Sequence, residues 1–234
     1  MSYGYGRSIV TDGLVFYVDA ANGNSYPGSG GTWSDLIGGN DGSFNNMDAA
    51  NNPSNNYDSG NGGSLVFDGS DDYIEGSASD SFGFGTDITI ECWFKTTDSF
   101  GATNSSTAGR IINLHSASPG TNINIQIGSE GLGFYNRGNT TFYNDNTAAN
   151  TGEWIHGVVV VNGTNSKLYR NNTVTINITG NNLPSFSSYP LTIGSYEGSS
   201  RFFSGNLALA RLYNRALTSD EITQNYNALK NRFV

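Results

Sequence analysis

Alternation of apolar and polar side chains over short segments constrains this 234-residue chain more than any other feature. In Asp87–Lys95, Ile88, Ile90, Cys92 and Phe94 fall on one face, and Thr89, Glu91, Trp93 and Lys95 on the other. A period of two belongs to a β-strand, whose successive side chains point to opposite sides. Similar β-branched and aromatic runs recur at Leu14–Asp19, Ser64–Asp68, Tyr73–Glu75, Arg110–Leu114, Ile123–Ile127, Leu132–Tyr135, Thr140–Tyr143, Lys167–Arg170, Thr173–Ile178, Leu191–Ile193 and Leu207–Tyr213. Trp154–Val161 reads as a central strand buried on both faces.

The residues between these runs agree. Gly (31), Asn (31) and Ser (28) dominate the chain; they tolerate positive φ or bond back to their own backbone, and they are poor helix formers. One helix is predicted at the end. Thr218-Ser219-Asp220-Glu221 has the form of a capping box, and Ile222, Tyr226 and Leu229 follow as one apolar stripe. The expected fold is all-β, a two-sheet antiparallel sandwich with one short C-terminal helix. Residues 1–12 read as an arm with no counterpart to pack against, 13–217 as the sandwich, and 218–234 as the capped helix packed on it. Residues 20–63 read as a long irregular stretch of the kind that tends to be functional.

Charge and cysteine content remove several classes of function. The net charge is −9, the wrong sign for a phosphate backbone, so no nucleic-acid partner is expected. The imbalance is a net −12 over residues 1–100 and +3 over the remainder. A single cysteine, Cys92, lies in an apolar alternation and reads as a buried structural thiol. No window of about 18 apolar residues exists, so no membrane insertion is expected, and Met1–Arg7 lacks the apolar region of a secretory signal.

The order of three blocks, Gly13–Asp19, Ser64–Ile74 and Ile88–Lys95, resembles laminin G-like, concanavalin A-like jelly-roll domains. Trp154-Ile155-His156 with Lys167-Leu168-Tyr169, and then Gly205–Leu217, resemble the later strands of that family. Tyr26–Leu36 and Ile222–Phe233 are similar to a subset common in tailed-phage virion proteins. The resemblance implies a jelly roll acting as a structural or adhesion module of a phage-like virion: capsid decoration, neck or tail fibre. Its partners would be other virion proteins, copies of itself or surface glycans, and its location the virion, with an extracellular location as the alternative. A free-standing carbohydrate-binding lectin is the second reading and a polysaccharide-active glycosidase the third.

Catalytic motifs are sparse. The Glu-x-Asp-x-Glu strand of laminarinase-type glucanases, which supplies paired carboxylates, does not occur, and Glu91 stands alone. Gly-x-Ser-x-Gly is missing, and His115 and His156 read as structural. The chain is therefore expected not to be an enzyme and to require no cofactor. Calcium is the metal hypothesis, because Asp68, Asp71 and Asp72 cluster at a strand end, with Asp19 as a further ligand. The same acids also read as a turn satisfying its own amides. Relatives often carry an acidic pair where this chain has Ala208 and Leu209. For glycans, Trp33, Tyr57, Tyr135, Tyr143 and Tyr196 are aromatics near turns that offer stacking faces.

Overall fold

The computed structural model describes residues 8–47, 56–102, 106–115, 122–136, 142–180, 183, 185, 186 and 188–233. In chain order the strands are β1 (Leu14–Asp19), β2 (Thr32–Trp33), β3 (Gly42–Asn45), β4 (Tyr57–Asp58), β5 (Ser64–Asp68), β6 (Tyr73–Ala78), β7 (Asp87–Lys95) and β8 (Gly109–His115). They continue as β9 (Asn122–Gly128), β10 (Gly131–Asn136), β11 (Phe142–Asn144), β12 (Ile155–Asn162), β13 (Asn165–Arg170), β14 (Thr173–Thr179), β15 (Pro190–Ile193) and β16 (Ser204–Tyr213), before helix α1 (Ser219–Phe233).

They form two antiparallel sheets. The first runs β14-β13-β12-β7-β16-β5-β4, and the second β11-β10-β9-β8-β15-β6-β3-β2. The ten-residue β16 serves two partners along one edge: Ser204–Leu207 pair with β5, and Leu209–Tyr213 with β1. Both central strands of the first sheet are those with the clearest sequence pattern, β7 and β12, paired over eight positions.

Alternation decides the layers. Ile88, Ile90, Cys92 and Phe94 meet Ile112, Leu114, Ile123, Ile125, Ile127, Leu132 and Phe134 in one continuous core between the sheets. Each such side chain contributes about 1.5–3 kcal/mol when fully buried. The opposite face of β7 is covered by α1: Trp93 stacks on Phe233 at 4.4 Å and on Tyr226 at 5.6 Å. The helix starts at a closed capping box, with Glu221 N donating to Thr218 Oγ1 (3.3 Å) and Thr218 N to Glu221 Oε2 (2.8 Å). Asn171 and Asn172 turn β13 into β14 with φ of 49° and 67°, the left-handed pair that a two-residue hairpin requires.

Two expectations change. Val10 of the supposed arm is buried, donating from its N to Asn225 Oδ1 (2.8 Å) and accepting from Tyr213 Oη (3.1 Å). Residues 8–12 therefore dock on the sandwich, because an apolar Val10 has a helix and a tyrosine to cover it; residues 1–7 lie outside the described residues. The stretch 20–63 is also more than loop. It supplies β2, β3 and β4 and sends Tyr26, Trp33 and Met47 into the core, since large apolar groups gain most from burial there. Of the predicted strand Thr140–Tyr143, residues 140 and 141 lie outside the described residues, and β11 begins at Phe142.

Candidate functional site

Residues directly opposite one another on antiparallel strands share a face. Register across the second sheet therefore traces a single row: Phe142 opposite Tyr135, Tyr135 opposite Asn124, and Asn124 opposite Asn113. Asn113 is opposite Thr192, Thr192 opposite Glu75, Glu75 opposite Ser43, and Ser43 opposite Thr32. The intervening Ile123, Ile125, Leu132 and Phe134 point into the core, so this row occupies the face turned away from the first sheet. Gln126 opposite Arg110, and Asn122 opposite His115, flank it.

A β-bulge sets the position of Arg110. The β8–β9 register slips between Arg110 and Ile112, so that Ile111 and Ile112 both enter the core. Arg110 then emerges beside Asn113 on the outer face, as bulges re-aim side chains. The β15–β16 loop locks onto this bulge: Gly194 N donates to Ile111 O (3.0 Å), and Arg110 N to Arg201 O (2.8 Å). Within the loop Tyr196 N donates to Ser200 O (2.8 Å), while Glu197 and Arg201 both adopt φ of 55°. A non-glycine residue in that region costs on the order of 1–3 kcal/mol, and such residues concentrate at functional sites. Gly198 (φ 64°) is required there, since a Cβ would meet the Tyr73 ring at 2.7 Å.

The face is rich in amides and rings. Asn124 Nδ2 donates to Asn122 Oδ1 (3.0 Å), and its Oδ1 accepts from Tyr135 N (3.2 Å). Tyr135 stacks on Phe142 at 4.5 Å, and His115 lies 5.7 Å from Tyr196 and 6.2 Å from Tyr189. The guanidinium carbons of Arg110 and Arg201 sit 5.7 and 5.9 Å from the Phe142 ring centre. Asn113 and Asn124 are fully buried, whereas Tyr189 is 53% exposed and marks where the site meets solvent. Burial holds the His115 imidazole below its ordinary range despite Glu197 at 3.3 Å, and it brings the Arg110 guanidinium, repelled also by Arg201, down to about 9.

The aromatics singled out from the sequence divide. Tyr135 and Tyr196 belong to this face. Tyr143 packs on Phe134 at 5.3 Å, and Tyr57 lies half-buried 5.5 Å from Tyr26. Trp33 is fully buried in the core and offers no stacking face to a ligand, its indole being worth more between the sheets than in water. Arg110, Asn113, Asn124, Gln126, Phe142 and Arg201 were not singled out. The signal for two of them was present: Asn124 and Gln126, together with Asn122, alternate with Ile123, Ile125 and Ile127, an uncharged amide stripe on one strand face.

Among the acids, Asp68, Asp71 and Asp72 bring one carboxylate oxygen each within 4.8 Å of one another. Asp68 Oδ1 accepts from Ser70 N (2.7 Å), and Asp72 Oδ2 from Asp68 N (2.9 Å) and Asn56 Nδ2 (3.1 Å). Three carboxylates are a donor set that calcium accepts, yet these hydrogen bonds already occupy part of it. Asp19 stands apart, ion-paired with Arg232 at 2.8 Å. Glu91 is neither alone nor exposed. Beneath α1 it meets Arg211 (3.1 Å), His156 (2.9 Å) and Asn225 (2.8 Å). Burial would raise the Glu91 carboxyl, but Arg211 and the hydrogen bonds prevail and hold it below the usual carboxylate range.

The concanavalin A-like lectin/glucanases superfamily matches residues 68–223, and the chain belongs to it. No curated protein matches the chain. Trypanosoma rangeli sialidase in complex with sialic acid superposes with a TM-score of 0.69 at 14% identity, covering 100% of this chain and 36% of the sialidase. The chain thus spans about a third of that enzyme's length. Domain 4 of a GH43 extracellular arabinanase from Geobacillus stearothermophilus, in complex with arabinotriose, gives 0.67 at 17% identity and covers 91% of this chain and 98% of that domain. The binding domain of Paraclostridial mosquitocidal protein 1 gives 0.65 at 14%, covering 92% and 52% respectively. At these identities the likeness concerns the fold.

These findings correct two expectations. The virion module is corrected: these similar structures are a sialidase, an arabinanase domain and a toxin binding domain, a likeness of fold that gives no support to a particle role. The expectation that the chain is not an enzyme is withdrawn for the same reason: the lack of one glucanase motif does not remove glycosidase chemistry from a fold found in glycosidases.

Proposed function

We propose that this chain is a carbohydrate-binding domain whose ligand lies across the outer face of the second sheet. The row Phe142–Tyr135–Asn124–Asn113–Thr192 carries the reading. Sugars present hydroxyls that amides pair in both directions and C–H faces that rings cover, and this face supplies both from a rigid sheet. The arabinotriose complex of the arabinanase domain supports the reading at the level of the fold. The test is calorimetric titration of the purified chain against neutral and acidic oligosaccharides, with Tyr135→Ala and Asn124→Ala as variants. Saturable binding that each variant weakens at least about tenfold, or about 1.4 kcal/mol, is expected. Binding unaffected by either variant would move the site elsewhere. Reducing sugar released in the same mixtures would show that the face also carries hydrolysis.

A further inference from the structure

Arg110 poses a charge problem that the fold does not solve. Arg110 is 2% exposed, and its Nε and Nη1 are buried with no hydrogen-bond partner among the described residues. Among the described residues, the charged and titratable neighbours that act on it are Arg201, which repels it, and the rings of Tyr196 and Tyr135. None of these is a carboxylate. A buried guanidinium normally lies against an acid, as Arg211 lies against Glu91 on the other sheet. Phe142 gives Arg110 a π-face but no anion. Nearby, Asn113 Oδ1 is also buried without a partner.

We infer that Arg110, with Arg201 beside it, forms an anion subsite within the sugar-binding face, and that the ligand is an acidic sugar whose carboxylate accepts from the Arg110 guanidinium. This rests on the proposed carbohydrate-binding function and narrows its ligand class. A guanidinium donates charge-assisted N–H···O bonds to a carboxylate, and the unpartnered Nε and Nη1 of Arg110 are two donors on different edges of the group. The unpaired Asn113 Oδ1 is an acceptor for a ring hydroxyl on the same sugar. Held by the bulge in β8, Arg110 sits on a strand rather than a loop, so its guanidinium is positioned before ligand arrives. Arg201 lies at a left-handed backbone position, is half-buried, and puts a second positive charge close to Arg110.

The experiment compares sugars that differ only in charge. Oligogalacturonates and their methyl esters are titrated against the unmodified chain, with sialyllactose against lactose as a second pair. Each acid is expected to bind at least tenfold more tightly than its neutral counterpart, and Arg110→Met is expected to abolish that preference. Arg201→Met, at a more accessible position, is expected to reduce the preference without abolishing it. Equal affinity for acid and neutral counterpart would overturn the anion subsite while leaving the carbohydrate-binding reading standing. No binding of any sugar would remove both. The ester comparison needs no variant, so the outcome stands even if Arg110→Met does not fold.

Discussion

At the scale of single residues, two buried arginines behave differently because of what faces them. Arg211 has its acid in Glu91, and the pair is closed by His156, Asn225 and Tyr17. Removing one partner leaves the other charge buried and alone, which costs about 3–5 kcal/mol. Arg211→Met should lower stability by that amount in urea unfolding, and combining it with Glu91→Gln should recover a substantial part. A double variant as unstable as the sum of the singles would show that the two groups do not act as a pair. The sequence reading treated Glu91 as solitary since its partner lies 120 positions away and no local pattern joins them. Arg110 was hidden differently. Strict alternation along β8 places it with Ile112 and Leu114, and only the bulge at Ile111 turns it to the outer face.

Elements were far more legible, because each is encoded by neighbours in the chain. β7, β12 and the β13–β14 hairpin follow from periodicity and from two asparagines tolerant of positive φ. Helix α1 follows from its capping box, reinforced by Arg215, which grips the Glu221 carboxylate through Nη1 (2.9 Å) and Nη2 (2.6 Å). That hydrogen bonding, against a smaller opposing effect of burial, brings the Glu221 carboxyl down to about 2 from 4.5. A depressed folded-state value means the stabilisation is present above 4.5 and is lost as pH falls toward 2. Glu221→Gln should therefore flatten the acid limb of a stability–pH curve in that window; an unchanged acid limb would show that the cap carries no linkage. The Asp68–Asp72 turn is tested at this scale too. Its carboxylates accept from backbone amides within the turn, so EDTA is expected to leave the melting temperature unchanged. A rise on adding calcium that chelation reverses would instead establish a bound ion.

Across the whole molecule, the site is a property of the sheet rather than of any segment. The row from Phe142 to Thr32 draws one residue from each of eight strands, and its order, β11-β10-β9-β8-β15-β6-β3-β2, exists only after the sheet has assembled. Sequence could supply the amide stripe of β9 but not its neighbours, since pairing β15 with β8 brings together residues nearly eighty positions apart. At about 4.8 Å between strands the row is roughly 30 Å long, more than a single sugar covers. It also grades from buried at Asn124 and Asn113 to exposed at Glu75, Ser43 and Thr32. A ligand anchored at the buried end and extending over the exposed end gains contacts with each added unit. Affinity should accordingly rise with oligosaccharide length in a calorimetric series from monosaccharide to hexasaccharide. Glu75→Ala should weaken the hexasaccharide while leaving the disaccharide unchanged. A profile flat from the disaccharide upward would confine binding to the Tyr196–Arg110 end and refute a ligand that crosses the sheet.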